Sequence, residues 1–241
     1  YKVYDFLISD SLVNGNTKEF TAFLKRLSEY NQSAENKISW QGQYIIKPAK
    51  VDTDEHWALV KQSNCKLLSF GVETGSERVR AEMDKKFKNS DLYHAIDHSI
   101  KYDIPCQVLL VVGYPTETLE DFHDTLNLIK KYKHVAGTII KDFSITDTLS
   151  ILPGTPLYDR AKELNIILDP ANENNWICTD NPDLDLAERI RRAEESKQLV
   201  KDLGYQSDNI SHDLLTLLKD NIEVLDKRLH VIKKMIKINV I

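Results

Sequence analysis

Cysteine is scarce in this chain: Cys65, Cys106 and Cys178 are the only three in 241 residues. They stand far apart in sequence, which excludes a dense disulfide framework and a local metal-ligand run, and fits a reducing cytoplasm. Long apolar runs are missing as well. Stretches such as 108–112 fall far short of the roughly 18 to 20 residues that span a bilayer, and no signal peptide is visible, so no membrane partner is expected. There is no long basic run. Acidic residues number 37 against 32 basic, a net charge of −5, so the field of the molecule does not draw phosphate backbones and nucleic acid is not an expected partner. No internal repeat or low-complexity tract appears.

What is present is the make-up of a globular domain with a sizeable core, 41% hydrophobic and 29% charged. One domain is the expectation at this length. The first eight residues already read as a β-strand without a polar lead-in, which points to a piece cut from a larger protein. Short apolar, β-branched runs then alternate with segments of helical period, the pattern of βα units feeding a parallel sheet. Strands are expected at 3–9, 38–46, 67–73, 106–112, 138–143 and 149–152. Helix starts are expected at Asn16 or Thr17, Thr53, Ser90, Thr116 or Thr118, and Thr155 with Pro156 behind it.

From about Asp183 the pattern changes to two helical stretches, 186–203 and 211–237, with no strand between them. In the second, Leu218, Ile222, Leu225, Leu229, Ile232 and Ile236 recur at steps of 4, 3, 4, 3 and 4, a seam suited to packing along another helix. Two readings stand: a tail folded onto its own barrel, or a homodimer contact. The expected organisation is a barrel over 1–167 and a helical C-terminal extension over 168–241.

In parallel α/β folds reactive groups collect where strands end. Those ends read Ser9-Asp10-Ser11, then Gly71-Val72-Glu73-Thr74-Gly75-Ser76, then Gly113-Tyr114-Pro115-Thr116-Glu117-Thr118, then Leu152-Pro153-Gly154-Thr155-Pro156-Leu157-Tyr158, and they hold four of the eight glycines. Glycine allows close backbone approach by a ligand, so a pocket floored by main chain is expected at this end.

These blocks, in this order, resemble the radical S-adenosylmethionine (SAM) superfamily, in the branch often accompanied by a cobalamin-binding domain. The Gly71 to Ser76 block with Met83 and Lys85 beyond it is similar to that branch's G-[IV]-E-[ST]-G-[ST] block with its M-x-K. The Gly113 and Pro153 turns are similar to its G-x-P-x-E-T and P-G-T turns. The resemblance covers roughly residues 3–164. It implies an α/β fold, a partial (β/α)6 TIM-like barrel truncated at its N-terminus. It implies a full-length enzyme that cleaves SAM reductively with a [4Fe-4S] cluster to start radical chemistry, with cobalamin in an upstream domain as a further cofactor. The cluster would need a C-x3-C-x2-C loop, and none is present. Cys65 and Cys106 stand at the amino-terminal ends of expected strands and read as core residues, so the loop would lie upstream and this piece would be inactive alone.

The resemblance makes Asp10, Glu73, Thr74, Gly113, Pro153 and Gly154 the cofactor-binding candidates. Glu73 would hydrogen-bond SAM or tie down its own turn, and Asp10 would approach the methionine group or start a turn. Pro153 and Gly154 would lie near adenine or open a helix, Arg78 and Arg80 would meet the SAM carboxylate or face solvent, and Glu117 reads as structural. His94 and His98, four apart on a helix, read as a surface face rather than a metal site. Trp40 reads as packing. The substrate is an unidentified small molecule, and methyl transfer, ring formation and rearrangement all stay open. The competing reading is a cluster-less barrel acting as a binding or dimerisation module. An aldolase or isomerase barrel would want a catalytic lysine or acid/base pair with a phosphate-binding glycine loop, and none stands out.

Overall fold

The computed structural model describes residues 3–146 and 148–206. Five strands, β1 (Asp5–Ile8), β2 (Ser39–Tyr44), β3 (Cys65–Glu73), β4 (Cys106–Leu110) and β5 (Ile140–Ile145), form one parallel sheet in chain order. Helices make the crossovers: α1 (Thr17–Ser33), α2 (Asp54–Gln62), α3 (Glu77–Glu82) with α4 (Asn89–Lys101), and α5 (Leu119–Lys131). After β5 come a short α6 (Pro156–Asp159), an antiparallel hairpin of β6 (Ile166–Leu168) and β7 (Trp176–Cys178), and α7 (Leu186–Asp202). This is the expected α/β, barrel-like arrangement, an open sheet of successive βα units.

Helix starts follow side-chain chemistry. The Asn16 carboxamide oxygen accepts the Lys18 and Glu19 N–H groups, and the Thr53, Thr118 and Thr155 hydroxyls do the same for α2, α5 and α6. The fourth helix begins two residues ahead of the expected Ser90 cap, because Asp91 reaches back to the Lys88 N–H at 3.0 Å and closes the first turn there.

The main core fills one face of the sheet. Trp40 and Tyr44 of β2, Leu68 and Phe70 of β3, and Val108 of β4 meet Trp57 and the inner stripes of the helices. Each aromatic side chain buried this way contributes about 2–3 kcal/mol. Trp40 packs here as expected, its indole N–H donating to Ser63 Oγ at 2.9 Å. Val200 of α7 and Tyr205 complete this core, the Tyr205 hydroxyl donating to the Ile129 carbonyl at 2.8 Å.

Residues 149–152 do not form the expected sixth strand. Ile151 enters a second, smaller core with Ala161, Ile166, Trp176 and Cys178. Its N–H donates to Glu173 O at 3.0 Å, and Leu149 O accepts the Trp176 indole N–H at 2.8 Å. A large indole with a donor to satisfy captures the segment that periodicity alone would add to the sheet. β6 runs across position 167/168, and the hairpin occupies 166–178, ahead of the helix that starts at Leu186. The apolar seam of 218–236, and the dimer contact built on it, lie outside the described residues.

Candidate functional site

A parallel sheet is normally covered by apolar packing on both faces. Here the residues that alternate with the core row are polar. Gln41, Gln43, Ser69 and Gln107 wall a cavity of about 520 Å³ together with Ser9 and Asp10 beyond β1, a volume within the range of small-molecule sites. Gln107 donates to Ser69 Oγ at 2.6 Å, so these groups are organised among themselves. The cavity occupies the amino-terminal half of the face, with Lys66, Pro105 and Lys141 on its rim.

Glu73 stands at the opposite, carboxyl edge. The register of β3 on β4 slips between Gly71 and Glu73, and Glu73 adopts a left-handed φ of 70°, a conformation that costs a non-glycine residue about 1–2 kcal/mol. Its carbonyl is fixed by the Val111 N–H at 2.6 Å. Its carboxylate accepts from Lys85 Nζ at 2.6 Å, the two side chains being 25% and 31% exposed. A Cβ at Gly71 would sit 3.3 Å from the Glu73 carboxylate and 3.7 Å from Lys85 Nζ, so the glycine leaves this ion pair its room. Strain, opposite charges and access thus coincide at one strand end. Lys85 is quoted in the sequence only as the end of a motif, and the structure makes it the partner of Glu73.

The other candidates disperse. Asp10 is exposed at the cavity wall. Thr74 is fully buried and turned toward α5, its hydroxyl 3.1 Å from that of Thr125 and accepting the Ser76 N–H. Gly75 allows that approach, since a Cβ there would lie 2.4 Å from Asp124 O. Gly113 has a φ of 84° and faces α7, where a Cβ would meet Arg189 Cγ at 2.7 Å. It is a packing glycine and offers a ligand no surface. Pro153 and Gly154 lie in an exposed turn, with nothing within 4 Å of a Cβ at Gly154. Arg78 is bound to Asp121, Glu82 and Thr116 O. Arg80 is fully buried, donating to Thr74 O at 2.7 Å and lying over Phe87. Arg80 braces the Glu73 turn, while Arg78 ties α3 to the start of α5.

Glu117 is fully buried and structural, and its partner is on α7: Arg192 Nη1 lies 3.0 Å from Glu117 Oε1, which also accepts the Gly113 N–H at 3.2 Å. Burial pushes this carboxyl up to about 7 against the pull of Arg192. Arg189, on the same stripe, lies 3.7 Å over the Trp176 ring and donates to the carbonyls of Trp176, Leu184 and Asn174. Sequence reading missed both arginines. Arg189, Arg192, Ser196 and Val200 recur at helical spacing as the buried side of α7, a stripe hidden by its polar residue types.

His94 and His98 are half-buried rather than outward, because they close on the start of α2. His94 Nε2 meets Asp52 O at 2.7 Å and His98 Nε2 meets Asp54 Oδ1 at 3.0 Å. Among the described residues no group of three or more His, Cys, Asp or Glu is placed to hold a metal. The cysteines do not fit a cluster either. Cys65 opens β3, Cys106 opens β4 and Cys178 lies in β7, all buried as free thiols. Burial raises the Cys65 thiol, and raises that of Cys106 to about 12, whereas cluster ligands must be thiolates on one loop.

Residues 15–129 match the family model described as the radical SAM superfamily. Among curated relatives, a tRNA-2-methylthio-N(6)-dimethylallyladenosine synthase of Clostridium tetani is 26% identical over 167 residues, 61% of this chain and 35% of that protein. The ribosomal protein uS12 methylthiotransferase of Sulfurihydrogenibium is 26% identical over 185 residues, 75% of this chain and 40% of that protein. The chain therefore spans little more than a third of the length of these relatives. Among solved structures, the radical SAM methyltransferase TsrM of Kitasatospora setae aligns with a TM-score of 0.59 at 13% identity, covering 79% of this chain and 37% of that one. The cobalamin-dependent radical SAM enzyme OxsB aligns at 0.57 and 12% identity, covering 81% and 33%. No helix among the described residues is long and apolar enough to cross a membrane.

Proposed function

We propose that this chain, whose residues 15–129 match the radical SAM superfamily, forms the SAM-holding and substrate-facing wall of a radical SAM enzyme. The observation that carries the reading is the Glu73–Lys85 pair, a carboxylate and an ammonium side by side at a strained, accessible strand end. SAM fits this donor set: its α-ammonium and α-carboxylate complement Glu73 and Lys85 in turn. When bound, SAM supplies the carbon–sulfur bond whose reductive cleavage starts radical chemistry. The chain's own part is to hold and orient. Arg80 braces the Glu73 turn through the Thr74 carbonyl, and the polar row from Gln41 to Gln107, toward the amino-terminal half of the same face, offers hydrogen-bonding groups to a small molecule.

A [4Fe-4S] cluster does not fit the three cysteines of this chain, which are buried and dispersed over β3, β4 and β7. The β1 end supports a further βα unit docking there. Phe6 and Leu7 on β1, and Phe23 and Tyr30 on α1, are 46%, 52%, 37% and 48% exposed, an open strand edge beside an uncovered helix face. Three free thiols suit a reducing cytoplasm.

Calorimetric titration of the folded chain with SAM tests the assignment. Saturable binding is expected, weakened about tenfold or more in Glu73→Ala, the loss of a charge-assisted hydrogen bond. A folded chain that takes no SAM, or binds it equally with and without the Glu73 carboxylate, overturns the assignment and leaves the ligand-binding or dimerisation module.

A further inference from the structure

We propose that Lys66 and Lys141 form a phosphate-binding subsite at the amino-terminal mouth of the cavity, and that the small molecule taken there is a phosphomonoester. The pairing of the sheet carries the inference. Where β2 meets β3, Trp40 pairs with Cys65 and Gln41 with Leu67, so Lys66 is an extra residue that the ladder skips. Where β4 meets β5, Cys106 pairs with Ile140 and Gln107 with Asp142, so Lys141 is skipped in the same way. Bulges are rare between parallel strands, and they recur beside functional sites because they re-aim a side chain. Here two separate bulges each carry a lysine, and both lysines line the same cavity.

The chemistry of the pair selects the ligand. Among the described residues the Lys66 ammonium has no hydrogen-bond or ion-pair partner, and neither have the Gln41 and Gln43 carboxamides. Lys141 Nζ donates to Gly137 O at 3.2 Å, which leaves its other donors for a ligand. The Lys141 carbonyl accepts the Gln206 N–H at 2.8 Å, which anchors the second bulge. β3 and β5 flank β4, so at ordinary strand spacing their backbones stand about 10 Å apart. Two flexible four-carbon stems can close that gap on one anion. Ammonium groups bind phosphate as compact point charges, whereas a planar carboxylate favours the arginine fork. A phosphomonoester carries about 1.5 to 2 negative charges at pH 7, a match for two lysines.

Charge also sets the direction of the ligand. Asp10 stands on the cavity wall beyond the carboxyl end of β1, away from the lysines. The phosphate is therefore drawn to the amino-terminal mouth, and the rest of the molecule lies along Gln41, Gln43 and Gln107 toward the Glu73 edge. As a substrate assignment this rests on the function proposed above; as an anion site it stands on the two lysines alone.

Titration of the 241-residue chain with inorganic phosphate and with ribose 5-phosphate, followed by ³¹P NMR, tests the subsite, with glutarate as a carboxylate competitor. Saturable binding of both phosphates is expected, weakened at least tenfold in Lys66→Gln/Lys141→Gln. It should be unchanged in Lys25→Gln/Lys130→Gln, which removes the same charge from exposed positions of α1 and α5. Near-UV circular dichroism identical to wild type marks the samples as folded. Absence of saturable binding, or equal weakening in the two double variants, would overturn the subsite. Displacement of ribose 5-phosphate by equimolar glutarate would overturn the phosphomonoester. Calorimetry with SAM on the same samples separates this proposal from the function it extends: a wild-type chain that binds phosphate through the two lysines but takes no SAM keeps the anion site and overturns the SAM-holding wall alone.

Discussion

Replacing Arg192 with leucine and replacing Glu117 with glutamine remove the same ion pair, yet the two changes should have opposite consequences. Arg192 has other partners. Its Nε donates to Glu188 at 2.8 Å, its Nη1 reaches the Thr118 carbonyl at 3.2 Å, and it lies over the Phe122 ring. Glu117 has almost none: without Arg192 it keeps the Gly113 N–H, and its Oε2 has no partner at all. At pH 8, where Glu117 is ionised in the wild type, Arg192→Leu leaves an uncompensated buried carboxylate and should cost about 3–5 kcal/mol. Glu117→Gln keeps an acceptor for Gly113 and should lie within about 1 kcal/mol of the wild type at pH 5.

The pH dependence has a definite sign. Burial raises the Glu117 carboxyl from 4.5 to about 7 in the folded chain, so the folded state binds more protons than the unfolded one between those values. The stability associated with this group is present below pH 4.5 and is lost as pH rises through 7, on the order of 3 kcal/mol in all. Glutamine does not titrate, so the Gln variant should gain on the wild type with rising pH and exceed it by pH 8. Urea unfolding of the 241-residue variants from pH 5 to 8 measures both effects. Equal costs for the two substitutions, or a difference curve flat in pH, would refute a buried, desolvated carboxylate dependent on α7.

Two glycines of the strand-end blocks separate packing from backbone strain. Gly75→Ala places a Cβ 2.4 Å from Asp124 O and 2.5 Å from Thr125 Cα, main-chain atoms of α5 that cannot step aside, and should destabilise by about 3 kcal/mol or more in thermal melts. Gly154→Ala has a φ of 81° and open space and should cost only about 1 kcal/mol; similar losses would show that these contacts do not hold. Incubation of the 241-residue chain with iron and sulfide without oxygen should develop no broad visible iron-sulfur absorbance. Native Cys65 and Cys106 should resist alkylation that labels them readily in denaturant, since burial keeps both thiols protonated.

The order of βα units, the helix caps at Asn16, Thr53, Thr118 and Thr155, and the strand ends carrying Glu73 and Gly113 were legible in the sequence. Hydrophobic period and capping chemistry are local and act within a few residues of the chain. The family-like blocks likewise singled out Glu73. What local pattern could not supply was partners. Thr74 and Gly113 sit in strand-end blocks like Glu73, but they face α5 and α7 because those helices arrive from 51 and 76 residues away in sequence. The same long reach turned residues 149–152 from a sixth strand into the lid of a second core around Trp176, and gave Glu117 its Arg192. Sequence by itself determined the succession of the five βα units and where most of their helices begin, since that depends on neighbours along the chain. Only the tertiary structure decided which strand-end groups are buried as braces and which, like Glu73 with Lys85, stay partly exposed, since burial and charge pairing depend on what packs against them.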